Sequence, residues 1–281
     1  MQNAVSIQDL AIQALNLSLM FSVGLELDLD RLRAAARRRR LVAGITLLNF
    51  GLVPLLAAGV GHLAGLTGPV LIGLLLAAVA PGGGTGTLLT RTARGNLELS
   101  VVLLGVFTAL AVPLVPALVL VLVPEDSVSM WPLLRTLLLF QLLPLALGLG
   151  IRLNRPPLAA RLQRLAKPVS NAIFGALVLG LLVTRGHLVL EVGAAGLGVQ
   201  AMVVVGSLVA PMVVRATPRD RAALSLTTGV RNLSLALLLS SAFFTPLTTL
   251  TVLTYGLVMY LLGVPAALWI RRALPETGGP P

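Results

Sequence analysis

Apolar runs recur along this chain at nearly even intervals, each about as long as a bilayer is thick, with only short polar gaps between them. A helix needs about 20 apolar residues to cross the roughly 30 Å hydrocarbon layer. Inside that layer every backbone N–H and C=O must find a partner within the protein, and helices do this locally. Windows bounded by charge, Gly and Pro give nine spans, near 7–27, 41–61, 69–90, 97–123, 131–151, 168–186, 191–214, 222–243 and 247–270. The expected fold class is therefore all-α and polytopic, with about nine transmembrane helices. Only 11% of the 281 residues are charged, against about 25% in a soluble domain. The gaps leave no room for a separate soluble domain.

The basic residues test that count. All but three of the 21 Lys and Arg fall in alternate connections. Arg31, Arg33 and Arg37 to Arg40 follow span one, Arg91 and Arg94 span three, and Arg152, Arg155, Arg161, Arg164 and Lys167 span five. Arg215, Arg219 and Arg221 follow span seven, and Arg271 and Arg272 span nine. The intervening connections hold none, and the one after span four carries Glu125 and Asp126. Positive residues mark the cytoplasmic side, so the N-terminus is expected outside and the C-terminus in the cytoplasm. The setting is a cell membrane, the inner membrane if the source is bacterial. The first 30 residues hold no Lys or Arg, unlike a signal peptide, so the first span is expected to remain.

Several function classes recede at this point. A net charge of +11 suggests nucleic acid in a soluble protein. Here the charge sits between spans, where anionic lipid explains it. No Cys is present, and His62 and His187 stand near span ends as interfacial residues, so no metal centre is expected. No paired acids, His cluster or nucleophile–base spacing marks an intramembrane enzyme. Trp131 and Trp269 fall at span ends, as interface anchors do.

Of the three remaining basic residues, Arg135 and Arg185 lie near outer span ends and can snorkel. Arg231 falls near the middle of span eight. Spans one to four begin outside and spans six to nine inside, the arrangement of an inverted repeat. The third member of each set is unusual. Span three contains Ala80-Pro81-Gly82-Gly83-Gly84-Thr85-Gly86-Thr87, and span eight contains Leu226-Thr227-Thr228-Gly229-Val230-Arg231-Asn232. Pro removes a backbone donor, and each Gly costs a helix about 1 kcal/mol relative to Ala. Span three is therefore expected to unwind at mid-membrane over these residues. Unwound backbone survives there only in a protein interior or against a wet cavity, where half-helix ends form an ion or anion site. Close packing through small residues is the bland alternative. Asn49 and Gln200 are lone amides in spans two and seven, each either cavity-facing or packing glue.

Four stretches carry a likeness to a known family. They are Met20-Phe21-Ser22-Val23-Gly24-Leu25, Asn49-Phe50-Gly51-Leu52-Val53-Pro54, Pro81-Gly82-Gly83 with Ala93-Arg94-Gly95-Asn96 and Leu99-Ser100, and Gly229-Val230-Arg231-Asn232. In order and spacing the chain resembles the bile acid:sodium symporters. The resemblance implies a core of spans two to four and seven to nine (about 41–123 and 191–270). It implies a panel of spans one, five and six (about 7–27, 131–151 and 168–186). Two discontinuous helices would cross in the core, which would move against the panel for alternating access. Substrates across the family are organic anions.

The departures concern sodium. Members that bind it have a Ser-Asn pair after the Pro-Gly-Gly turn, where this chain has Gly86 and Thr87. They have a Glu followed four residues later by a Gln, where this chain has Thr227 and Arg231. The Gln expected in span two is Asn49, a Thr expected in span four is Leu104, and Ser100 alone is retained. The resemblance therefore implies a degenerate sodium site, and no other cofactor is expected.

An Arg at a helix centre costs about 2.5–3.5 kcal/mol to insert, so it should face a partner or water. Either Arg231 is a fixed positive charge against which an anionic substrate binds, or it pairs with Glu98. Glu98 has its own two readings: a local pair with Arg94 or Arg91, or a proton-coupling group at the crossing. The expected function is a secondary transporter of small organic anions without sodium coupling. Its binding site would comprise Asn49, Pro81, Gly82, Gly83, Gly84, Thr85, Thr87, Thr227, Gly229, Arg231 and Asn232, with Glu98 and Ser100 as coupling candidates. The competing class is a non-transporting receptor that keeps the fold and binds an organic anion. The sequence leaves the oligomeric state open.

Overall fold

The computed structural model describes residues 7–27, 30, 38–123, 128–185, 187 and 189–274, which form helices joined by short non-helical stretches, with no strand among them. The expectations placed on Arg31, Arg33, Arg37, Glu125, Asp126 and the side chains of Lys167 and Arg185 lie outside the described residues. Eleven helices are used below: α1 (Ile7–Glu26), α2 (Arg39–Leu63), α3 (Gly68–Val79), α4 (Gly84–Thr92), α5 (Leu97–Leu122) and α6 (Met130–Asn154). They continue with α7 (Pro156–Arg185), α8 (Val189–Val213), α9 (Pro218–Gly229), α10 (Leu233–Phe243) and α11 (Pro246–Ala273). Five of them, α2, α5, α6, α8 and α11, are each long and apolar enough to cross a membrane.

Two expectations need correction. Residues 156–167, assigned to a basic loop, are the first three turns of α7. Pro156 suits the first turn of a helix, and the Leu, Ala, Arg and Gln that follow are good helix formers. The unwound stretch in span three is also shorter than expected, because helix resumes at Gly84 and takes in Thr85, Gly86 and Thr87. Gly disfavours a helix interior but tolerates the first turn, where packing fixes the backbone.

α2 and α6 share a local device. Each contains a five-residue π turn, Leu48–Leu52 and Leu138–Leu142, ending two residues before a proline, Pro54 and Pro144. Proline withholds a helical donor, and the widened turn relocates the carbonyl left without one.

α1 packs against α6 and α7, and it also reaches α10. α8 lies against α2, α9 and α11, while α3 packs on α11. The largest buried cluster runs through α3, α5, α10 and α11. At its centre the α3–α4 and α9–α10 breaks meet.

Candidate functional site

The α3–α4 break follows from Pro81. A residue before proline is pushed out of the helical region, and Ala80 is extended at φ −70°, ψ 113°. In the other break Val230 (φ −100°, ψ 95°) and Asn232 (φ −77°, ψ 82°) are similarly non-helical. The two short extended pieces lie antiparallel, with Gly82 opposite Arg231. Gly83 N–H donates to the Val230 carbonyl at 2.9 Å, and Asn232 N–H to the Pro81 carbonyl at 2.7 Å. Much of the backbone freed by each break is thus satisfied by the other, as a bilayer interior demands.

Glycine makes this approach possible. A Cβ on Gly82 would collide with the Thr227 carbonyl oxygen, and one on Gly86 would lie 2.9 Å from the Leu226 carbonyl oxygen. Two roles expected from sequence change accordingly. Gly82 and Gly83 are buried in the crossing, and Gly83 gives its N–H to Val230 and accepts from Gly86 N–H. Gly229 instead seats against Leu208 of α8.

Arg231 occupies the ends of the broken helices. It is 2% exposed. Nη1 donates to Asn49 Oδ1 at 2.8 Å and to the Thr228 carbonyl at 3.5 Å. Nη2 donates to the Asn49 carbonyl at 3.1 Å and to the Ala78 carbonyl. Each acceptor is available for a local reason. Ala78 and Thr228 lie in the last turns of α3 and α9, where carbonyls lack helical donors and the helix dipole is negative. In α2 the π turn sends Val53 N–H to the Leu48 carbonyl. The next donor in that register would belong to Pro54, which has none, so the Asn49 carbonyl is left for Arg231. Asn49 also donates to the Thr228 hydroxyl at 3.0 Å.

Among the described residues, no carboxylate is a partner of Arg231. Glu98, the sequence-level candidate, is exposed in the first turn of α5, so the buried Arg231–Glu98 pair and a Glu98 at the crossing are both corrected. A buried acid lies instead at the start of α9, where Asp220 is 4% exposed. It receives Arg38 Nη1 at 2.9 Å and Asn96 Nδ2 at 2.7 Å, tying the starts of α2, α5 and α9 together.

A group of buried hydroxyls joins α4, α5 and α9. Ser100 Oγ donates to Thr87 Oγ1 at 3.2 Å and lies 3.1 Å from Thr227 Oγ1, which donates to the Ala223 carbonyl at 2.6 Å. A sodium ion needs several oxygen lone pairs free and turned toward one point. Here the hydroxyls bond to one another and the helix-end carbonyls hold a guanidinium, so these residues do not fit a bound sodium ion.

The opposite, N-terminal ends of the broken helices carry the positive dipole ends. Asn232 caps α10, its Oδ1 accepting from Leu235 N–H at 3.2 Å, while its buried Nδ2 has no partner. No side chain caps α4. Gly84 is exposed there, and Thr85 meets the Tyr260 hydroxyl at 3.1 Å. Asn232 Oδ1 also accepts from Ser234 Oγ at 2.9 Å, Ser234 Oγ reaches Asn16 Oδ1 at 3.1 Å, and Asn16 Nδ2 donates to the Phe140 carbonyl at 2.6 Å. That chain of contacts runs from α10 through α1 to the π turn of α6. Asn16, Gln141, Ser234 and Tyr260 were not singled out from sequence, although Asn16 and Gln141 carry the same lone-amide signal as Asn49. Gln200 binds the Thr251 carbonyl at 3.1 Å and Thr254 Oγ1 at 3.0 Å, joining α8 to α11.

Residues 14–192 match the Sodium Bile acid symporter family. The chain belongs to that family. The symporter assignment covers most of the chain and both ends of the α3–α4 break. Among curated proteins it is 26% identical over 270 residues to the "Uncharacterized sodium-dependent transporter YocS" of Bacillus subtilis, covering 93% of this chain and 83% of that one. It is 36% identical over 131 residues to the "Probable sodium/metabolite cotransporter BASS1, chloroplastic" of Arabidopsis thaliana, covering 46% and 32% respectively. The rice protein of the same name is 33% identical over 99 residues, covering 35% and 24%. Symporters of this family are transporters set in a membrane, and this chain carries the apolar helices for that setting.

Proposed function

We propose that this member of the symporter family carries small organic anions across the membrane by alternating access, without sodium. The observation that carries this reading is the contact of the Arg231 guanidinium with carbonyls at the C-terminal ends of α3 and α9. Its fixed charge stands in the electrostatic position of a coupling cation. It neutralises the helix ends permanently, so no ion need arrive with the substrate.

The anion is held on the other side of the crossing, by the uncapped start of α4 and by Asn232. Helix N-termini present amides and positive dipole to a carboxylate or sulfate. Asn49, Pro81, Gly82, Gly83, Gly229 and Arg231 then build the crossing. Gly84, Thr85 and Asn232 meet the ligand, and Thr87, Ser100 and Thr227 fill the space between. α1, α6 and α7 form the panel and the remaining helices the core. The nine spans make an inverted repeat with the N-terminus outside and the C-terminus in the cytoplasm. The Asn232–Ser234–Asn16–Phe140 run of polar contacts, in which the Ser234 hydroxyl donates to one Asn oxygen at a time, supports contact between core and panel near the ligand.

The names of the relatives carry sodium dependence for those proteins; the residues at Thr227 and Arg231 argue for a different coupling here. Uptake of radiolabelled organic anions into proteoliposomes, with sodium, proton or no imposed gradient, tests the reading. Flux that is indifferent to sodium is expected. Flux that requires sodium overturns the coupling claim, and binding without flux makes the protein a receptor.

A further inference from the structure

Among the described residues, Arg38, Arg39, Arg40 and Arg215 line one cavity of about 510 Å³, together with Leu41 and Val214. Four guanidinium-bearing residues around one space repel one another unless an anion joins them. Only Arg38 has an acidic partner there, Asp220 at 2.9 Å, and its own side chain remains half exposed. Arg39, Arg40 and Arg215 are exposed, and no hydrogen bond or ion pair among the described residues engages their side chains. Asp220 is fixed in turn by Asn96 at 2.7 Å, so the cavity is anchored to the foot of α9 rather than hung on a free loop. Its charges also stand at the start of α2, which carries no acid in its first turn and no side-chain cap. That arrangement places cations where the helix dipole favours an anion.

The surface beside the cavity is apolar. Val209, Met212 and Val213, at the end of α8 next to Val214 and Arg215, are 49%, 49% and 80% exposed. A ligand that fits both features has an anionic head and hydrocarbon tails. We infer that this cavity binds the phosphate headgroup of an anionic phospholipid, with its acyl chains against the end of α8. Arginine suits the task because its planar fork meets two phosphate oxygens at once. The cavity lies on the side that the distribution of basic residues assigns to the cytoplasm, where anionic lipid is attracted by such groups.

The test uses the full chain purified in neutral detergent. Its Tm is followed while phosphatidylglycerol, phosphatidylcholine or inorganic phosphate is added. The expected result is a saturable rise with phosphatidylglycerol alone. Removing Arg39 and Arg215 (R39Q/R215Q) should raise the half-saturating lipid concentration about 30-fold, since each basic group near a lipid surface contributes about fivefold. The charge-matched pair R161Q/R164Q on α7 should leave it unchanged. Native mass spectrometry gives a second readout: anionic lipid retained by the wild type and by R161Q/R164Q, and lost from R39Q/R215Q. Equal losses in both variants would mean diffuse charge attraction and overturn the proposal. So would an equal rise with phosphatidylcholine, or a rise with inorganic phosphate that matches the lipid.

Discussion

Arg231 and Asn49 are joined twice, Nη1 to the side-chain oxygen at 2.8 Å and Nη2 to the main-chain oxygen at 3.1 Å. One face of a planar fork therefore spans both acceptors of a single residue. The match depends on the π turn before Pro54, which leaves that carbonyl without a helical donor. The same two nitrogens reach the Ala78 and Thr228 carbonyls. A single cation thus pins α2 to the ends of both broken helices.

Arg231→Leu removes that pin. Hydrogen bonds to a charged group contribute about 1.5–3 kcal/mol each, and acceptors stranded in a dry interior add a desolvation cost. Because the bonds share one group their losses do not add, and a net loss of about 3 kcal/mol is expected, a fall in Tm of roughly 6–12 °C. Arg231→Lys should recover less than half of it, since an ammonium is a point charge and cannot bridge two acceptors as a fork does. Scanning calorimetry or a fluorescence melt of the purified variants checks this. An unchanged Tm in Arg231→Leu would show that the guanidinium does not hold the crossing together.

The crossing also sets a steric prediction. Gly82→Ala drives a methyl group into the Thr227 carbonyl, whereas Gly84→Ala, two residues on, meets open space. Overpacking costs typically about 1–3 kcal/mol. Gly82→Ala should therefore lose both stability and uptake, while Gly84→Ala should keep its stability. The pair is compared by melt and by proteoliposome flux. Equal tolerance of both substitutions would contradict backbone contact between the α3–α4 break and α9.

How much of this could be read from sequence depended on how local each cause is. Pro81 and its glycines interrupt a helix through their own backbone chemistry, so the α3–α4 break was legible, and only its C-terminal limit was overestimated. A buried cation at Arg231 was legible from its place in an apolar run. Its partners were not, because Asn49 and Ala78 are brought to it by the crossing of four helices, and no spacing rule connects residues 182 or 153 positions apart. Glu98 was one of two readings for Arg231, and Asp220 carried no signal that set it apart from the other acids. In the fold Glu98 is exposed and Asp220 is buried against Arg38 and Asn96. The π turns of α2 and α6 had a visible trigger in Pro54 and Pro144, but a proline in a helix can also kink it, and only packing selects the outcome.

Glu98→Gln gives a contrast on the question of proton coupling. The residue is exposed at the start of α5, and substitutions at such positions change stability by about 0.5 kcal/mol or less. Because its side chain is exposed outside the crossing, uptake and its pH dependence are expected to match the wild type. Loss of proton-driven accumulation in Glu98→Gln would return this group to the transport path.

The sharpest consequence concerns the charge at the crossing. The resemblance to sodium-binding members puts a Glu at Thr227 and a Gln at Arg231. Thr227 is fully buried within the hydroxyl group around Ser100, so a carboxylate there is intolerable without a cation, and the wild-type guanidinium is intolerable beside a sodium ion. Neither single substitution should create sodium dependence. Thr227→Glu alone keeps the guanidinium on the helix-end carbonyls, and Arg231→Gln alone frees those carbonyls but adds no carboxylate to strengthen a cation site. The double variant T227E/R231Q supplies the carboxylate and frees the Ala78, Asn49 and Thr228 carbonyls together. Its Tm should rise with sodium chloride and not with choline chloride. At sodium tenfold above its dissociation constant the gain is about 1.4 kcal/mol, or roughly 3–6 °C. Uptake should acquire the same dependence, while the wild type stays indifferent. If the double variant folds and ignores sodium, the guanidinium is not standing in a cation's place.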